Sequence, residues 1–125
     1  MLIPYFRKFL DSDVTIPINT TQVVSSNEID LSDAKFASIS VYVKGNNAGV
    51  SLDVTFAFVA YDPARGSWDT EPYLTINVTP NGLNAVQKTV SITPHVSKIK
   101  LYSIQNQETL DGYTIDANAS IFKKV

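Results

Sequence analysis

Apolar and polar residues alternate most regularly across positions 36–61. Ala37, Ile39, Val41 and Val43 are interleaved with Ser38, Ser40, Tyr42 and Lys44. After Gly45-Asn46-Asn47-Ala48-Gly49 the alternation resumes through Val50, Leu52, Val54, Phe56, Phe58 and Ala60. Period two on both sides of a Gly/Asn-rich turn predicts a hairpin of two antiparallel strands, each giving one face to a core. Because a hairpin cannot bury that face alone, the remaining segments must supply an opposing layer.

Upstream, Val14, Ile16 and Ile18 fit one strand face, and Pro17 places them on an edge strand or a strand end. A short strand is expected over 20–25. The polar stretch 27–34, with Ile29 and Leu31 as apolar anchors, reads as a connection. Downstream, 62–72 is the longest irregular loop and holds the only tryptophan, Trp68. A strand over 73–79 follows, with Leu74, Ile76 and Val78 inward, and Pro80-Asn81-Gly82 makes a turn because Asn-Gly tolerates positive φ. Further strands are expected over 85–93 and 96–104. The last, over 112–122, alternates through Tyr113, Ile115, Ala117, Ala119 and Ile121, and leaves Lys123, Lys124 and Val125 as a solvated tail. Eight or nine short strands near ten residues apart, with no long helix, give an all-β fold class. The expected architecture is a single-domain two-layer antiparallel β-sandwich, jelly-roll or immunoglobulin-like.

The decamer at 1–10 is apolar but is split by Arg7-Lys8, so no signal peptide is expected, and it is too short to span a bilayer. Ile3, Tyr5 and Phe9 fit a strand, while Leu2, Phe6, Phe9 and Leu10 fit a helical face. The chain is thereby divided into 1–13, an N-terminal arm or first strand, and 14–125, the sandwich. At 125 residues there is room for one domain, and 44% hydrophobic with 18% charged residues is an ordinary globular composition. A net charge of −2 leaves no electrostatic footprint for nucleic acid or an anionic membrane. With no cysteine there is neither a disulfide framework nor a thiolate metal site.

The catalytic inventory is thin. The only imidazole, His95, sits at a turn after Pro94, and there is no phosphate-binding glycine loop or His-rich metal spacing. Asp62, Asp69 and Glu71 share one loop, as glycoside hydrolysis would need, but a chain of this length leaves little room for a cleft. Asp11, Asp13, Glu28, Asp30 and Asp33 match no calcium-loop spacing and read as solvated turn residues. No enzyme activity, cofactor or metal is expected. Tyr61, Trp68 and Tyr73 flank the long loop and form the candidate stacking platform for a sugar ring; the competing reading is a tryptophan that caps the core end. Three Asn-X-Ser/Thr triplets, at Asn19, Asn77 and Asn118, match the glycosylation pattern, so a bacterial or archaeal surface subunit stays open.

From Ile39 onward the chain resembles small β-sandwich accessory proteins of tailed-phage virions. The residues that carry the resemblance are Val41-Tyr42-Val43-Lys44-Gly45, the long alternating strand running into the Asp62 loop that closes in Gly66-Ser67-Trp68, and the Asn81-Gly82 turn. Ile99-Lys100-Leu101-Tyr102 and the final alternating strand complete the set. The resemblance implies a compact structural subunit held by terminal arms on its neighbours. The N-terminal arm would then be the anchor, with Ile3, Phe6 and Phe9 as buried contacts and Arg7 and Lys8 meeting acidic or polar groups. Truncation before Ser12 is then expected to abolish assembly and leave the sandwich folded. The expected function is a non-enzymatic virion accessory or capsid-decorating subunit that docks on protein subunits through its arm and sheet edges. The alternative is a carbohydrate-binding module using Tyr61, Trp68 and Tyr73, with a glycan as partner. The expected location is the virion, without membrane or nucleic acid contact.

Overall fold

In the computed structural model, residues 2–125 are described; Met1, the first residue of the apolar decamer, lies outside the described residues. Eleven strands succeed one another with no helix among these residues. They are β1 (Pro4–Lys8), β2 (Val14–Ile16), β3 (Thr20–Val23), β4 (Ile29–Asp30), β5 (Phe36–Gly45) and β6 (Val54–Asp62). The second half supplies β7 (Ser67–Trp68), β8 (Leu74–Val78), β9 (Val86–Ile92), β10 (Lys98–Asn106) and β11 (Ile115–Lys124). The count exceeds the expected eight or nine because β4 and β7 are two-residue pieces that periodicity cannot register.

The pairing is nested about the turn that follows β6. There β6 pairs with β8, β5 with β9, β3 with β10 and β2 with β11, all antiparallel. The chain is therefore one long antiparallel ribbon rolled up on itself, which is the jelly roll. Rolling brings β11 beside β5 and β10 beside β6 and completes two sheets. The first sheet runs β9-β5-β11 with β1 and β2 sharing its far edge; the second is built on β10 and β6, with β3 and β4 on one side and β7 and β8 on the other.

This topology corrects the hairpin expected at 36–61. The two long strands each alternate as anticipated, but β5 and β6 do not pair; they lie in opposite sheets and face each other across the core. Alternation states which side chains point inward and is silent on which edge is hydrogen-bonded. The connection 46–53 crosses from one sheet to the other and drops Val50 into the interior at 1% exposure, while Leu52 faces solvent. Its crossing is held by Gly82, whose N–H donates to Val50 O at 2.9 Å and whose carbonyl accepts Gly45 N–H at 3.0 Å.

The core lies between the sheets. Ile39, Val41 and Val43 of β5 and Ile115, Ala117 and Ile121 of β11 meet Phe56 and Phe58 of β6 and Ile99, Leu101 and Ile104 of β10. Each large side chain so buried contributes about 1.5–3 kcal/mol relative to exposure. A bulge at Tyr102, between Leu101 and Ser103, resets the phase of β10, so that Leu101 and Ile104 both point inward. At the β9 edge of the first sheet Lys88 stands in an inward phase opposite Val41, yet it escapes burial by reaching across to Asn77 O at 2.9 Å.

Both chain ends belong to the first sheet. Ile3 and Val125 exchange backbone hydrogen bonds at 2.9 and 3.0 Å. Lys123, expected in a solvated tail, is instead buried at 7% exposure, with Nζ donating to Asp30 O at 2.8 Å and to Asp33 Oδ1 at 3.1 Å. No helix among the described residues is long and apolar enough to cross a membrane.

Candidate functional site

The outer face of the first sheet carries the surface groups that the core does not use. Register places side chains there in rows. Pro4, Lys124 and Phe36 form one row, Phe6, Phe122 and Ser38 the next, and Lys8, Ser120 and Ser40 the third. Asn118, Tyr42 and Gln87 form a fourth. The face therefore has an apolar end built on phenylalanine and a polar end built on amides and hydroxyls.

At the apolar end Phe6 leans on Phe122, with ring centroids 4.9 Å apart and planes at 52°. Phe6 remains 74% exposed and Phe36 61%, and Ile3, in the opposite strand phase, is 51% exposed. Phe6 on β1 and Phe36 on β5, on either side of Phe122 on β11, are thus held in water on one face, the kind of exposed apolar feature that marks contact surfaces. Sequence reasoning singled out Ile3 and Phe6 but missed Phe36 and Phe122. The signal was present: both are aromatic residues in the polar phase of strands whose other outward positions are Ser, Asn, Tyr, Asp and Lys.

The residues proposed for the arm separate in the structure. Phe9 is not a docking contact: it is fully buried in the chain's own core, edge-on to Phe58 with centroids 5.1 Å apart. The reason is the end of β1, where Phe9 N–H donates to Ala119 O at 3.0 Å and the chain then turns inward. Arg7 folds back, with Nη1 donating to Phe6 O at 2.9 Å and the guanidinium 5.3 Å from the Tyr5 ring centre. Lys8 is exposed, and its carbonyl accepts the Asn27 amide at 3.0 Å. The alternation set by the Ile3–Val125 pair points the Phe6 and Lys8 carbonyls to the open edge, so Arg7 and Asn27 occupy acceptors that strand addition would need.

The loop aromatics lie on the second sheet. The first part of the loop is a tight hairpin: Asp62 Oδ1 accepts the N–H of Ala64 at 3.0 Å and that of Arg65 at 3.3 Å, and Gly66 takes φ +66°. This sets Tyr61 opposite Trp68, edge to face at 5.3 Å. Lys98 Nζ stands 4.7 Å from the Tyr61 ring centre and Lys100 Nζ 4.4 Å from that of Trp68. A cation is thus parked at each ring where a sugar would stack. Tyr73 is tied elsewhere, its hydroxyl donating to Thr93 O at 3.4 Å.

His95 is exposed, and the described residues contain no group of three or more His, Cys, Asp or Glu placed to hold a metal ion. Among the carboxylates, Asp30 is held below its ordinary range by the Ser32 hydroxyl at 2.7 Å and then by the Ser32 N–H at 2.9 Å. This is the chemistry of a turn, with the Asp30 carbonyl tied to Lys123.

No protein-family model matches the chain, and no curated protein is similar to it in sequence. Among solved structures, VP2 of infectious bursal disease virus in its subviral particle superposes on 99% of this chain with a TM-score of 0.55 and 17% identity. The Gx strain of the same virus gives 99% coverage, a TM-score of 0.56 and 13% identity. This chain spans 32% of the length of each of those viral chains. A chain from the disulfide-linked pili of Bacillus endospore appendages is matched more loosely, at a TM-score of 0.43 and 14% identity, over 100% of this chain and 91% of that one. At such identities the viral likeness is one of fold, a two-layer antiparallel roll shared along nearly the whole chain.

Proposed function

We propose that this chain is a non-enzymatic structural subunit that docks on neighbouring protein subunits, in the manner of a virion accessory or capsid-decorating protein. The observation that carries the reading is the exposed phenylalanine end of the first sheet, with Phe6 and Phe36 in water and Phe122 between them. A folded chain that keeps two exposed phenylalanines on one rigid face gains most by covering them with another protein, and aromatic anchors concentrate binding energy. The jelly-roll architecture supports the same reading, since an infectious bursal disease virus protein found in a subviral particle contains a matching roll. Tailed-phage membership rests on the sequence resemblance alone.

Docking is by side chains presented on a fixed strand. A free arm is disfavoured because β1 is hydrogen-bonded along β11, and strand addition is disfavoured because Arg7 and Asn27 occupy carbonyls at its edge. The truncation before Ser12 consequently changes meaning. It would remove Phe9 and Leu10 from the core as well as the docking face, and so confound folding with assembly.

The clean test is sedimentation velocity on the wild-type chain and on a Phe6→Ser/Phe36→Ser variant. The expected result is a concentration-dependent assembly that the double variant loses while its circular dichroism is unchanged. A wild-type chain that stays monomeric at every concentration and gains nothing in solubility from the double substitution would overturn the reading.

A further inference from the structure

The polar end of the same outer face holds a groove of 330 Å³, at the small end of the size range of small-molecule sites, about 300–1,000 Å³. Its origin is a break in the sheet edge. β1 covers β11 from Ser120 onward and β2 covers it up to Ala117, so Asn118 and Ala119 fall in the gap between them. The intervening chain dives inward to bury Phe9 and Leu10, leaving Lys8 and Asp13 as the two walls flanking the break. Outward positions of β5, β9 and β11 make the floor, with Tyr42 half-buried at its centre.

The groups that line this groove have one chemistry. Asn118 Nδ2 donates to Asp13 Oδ1 at 2.8 Å, and Asn118 Oδ1 accepts Ala119 N–H at 2.8 Å, so this amide is locked in one orientation. The Ser40 hydroxyl is bonded to that of Thr89 at 2.8 Å. By contrast, the Tyr42 hydroxyl, the Gln87 amide, the Ser120 hydroxyl and the Lys8 ammonium have no side-chain hydrogen bond among the described residues, and all four line the groove. A fully apolar ligand would strand these groups without partners. An anionic ligand would meet the Asp13 carboxylate, which offsets the single Lys8 charge. Hydroxyls and amides that both donate and accept, beside one phenol ring, match a ligand that is itself a dense array of hydroxyl groups.

We infer that the groove between Lys8 and Asp13 on the first sheet is a binding site for a neutral saccharide, with Tyr42 as its apolar contact and Gln87 and Ser120 as its hydrogen-bonding pair. The site is distinct from the Tyr61–Trp68 cluster, which lies on the opposite sheet with a lysine over each ring. It also does not rest on the docking function.

The test is a nuclear magnetic resonance titration of the isotope-labelled chain with maltotriose, xylotriose and chitotriose, and with inorganic sulfate as the anionic probe. The expected result is that at least one trisaccharide shifts the side-chain amide signals of Gln87 and Asn118. Tyr42→Ala and Gln87→Ala should each weaken that binding about tenfold, the effect of losing one well-made contact. Absence of shifts up to about 10 mM, beyond the weak millimolar range, would overturn the assignment. So would shifts confined to Trp68 and its neighbours, or shifts produced by sulfate alone. Phe6→Ser/Phe36→Ser should leave the titration unchanged, so a failure here and a failure of the docking reading are separable.

Discussion

The Glu108 carboxylate oxygen Oε1 accepts the backbone N–H of Ser51 at 2.6 Å, across the end of the roll, and the next N–H, that of Leu52, at 2.7 Å. Glu108 is 3% exposed, and its own N–H is held by Asn106 Oδ1 at 3.1 Å. Asn106 in turn donates to Ile16 O at 3.1 Å and Tyr113 O at 3.3 Å. One buried acid and one buried amide thus satisfy the backbone of three separate connections, where no ladder is available to do so.

Glu108→Ala is therefore predicted to lower stability by about 2–3 kcal/mol, because it leaves two N–H groups without an acceptor. Glu108→Gln keeps an acceptor oxygen and should lose roughly half as much. Urea denaturation of the two variants measures both; equal losses would mean that the carboxylate acts by packing and not by its hydrogen bonds.

Lys123 and Asp33 form an ion pair whose two partners should respond unequally. The Lys123 side chain is 9% exposed and that of Asp33 is 59% exposed. Removing the carboxylate with Asp33→Ala leaves Lys123 bonded to Asp30 O, and should cost no more than about 1 kcal/mol, as for an exposed pair. Removing the cation with Lys123→Ala leaves that carbonyl unpaired and loses the packed aliphatic stem, at about 2–3 kcal/mol. A thermal denaturation series that ranks the two the other way would contradict this account of how the C-terminal strand is fastened.

Legibility in the sequence followed which interactions are local. Alternation through Ile39, Val41 and Val43, and through Ile115, Ala117 and Ile121, identified the buried faces because period two is a property of one strand. It misassigned β5 and β6 as a hairpin because partner choice depends on the whole ribbon. Lys123 escaped notice for a related reason: its burial is created by Asp30 and Asp33, some 90 residues away along the chain. Near the start of the chain, Ile3 and Phe6 stood out as apolar residues, of which only Phe6 faces outward on the first sheet. Phe36 and Phe122 required knowing that outward phases of distant strands lie side by side, and the polar groove required knowing where β1 stops and β2 begins.

Asp30 makes a pH-dependent contribution of definite sign. Its carboxyl is held below the ordinary value chiefly by the Ser32 hydroxyl, so the folded state favours the ionised form. The resulting stability is fully present above the unfolded-state value, near pH 4, and is lost as pH falls through the lower folded value. We predict that Asp30→Asn flattens the stability profile below pH 4 relative to wild type. Parallel profiles for the two proteins in acid urea titrations would contradict it.

Two glycines with positive φ should differ when replaced by alanine. Gly112, at φ +80°, has nothing within 4 Å of an added Cβ, so Gly112→Ala should cost only the left-handed backbone term of about 1–2 kcal/mol. Gly82, at φ +58°, would place the same atom 2.8 Å from Ala48 O, a backbone group that also belongs to the crossing between the sheets. Gly82→Ala is expected to add a steric cost and to exceed the Gly112 variant by at least about 1 kcal/mol. Equal melting temperatures would show that the 46–53 crossing yields more readily than its contacts imply.

Phe6 and Phe9, three residues apart, should give opposite answers because the sheet turns one outward and the chain end turns the other in. Phe9→Ala removes a fully buried ring from contact with Phe58 and is predicted to cost about 3–5 kcal/mol, enough to unfold a marginal domain. Phe6→Ala removes a ring that is 74% exposed and leans only on Phe122, so its stability loss should stay below about 1 kcal/mol. The pair separates folding from docking within one five-residue strand and its flank. If Phe6→Ala destabilised the isolated chain as much as Phe9→Ala, the outer ring would be part of the fold, and the docking face would lose its principal anchor.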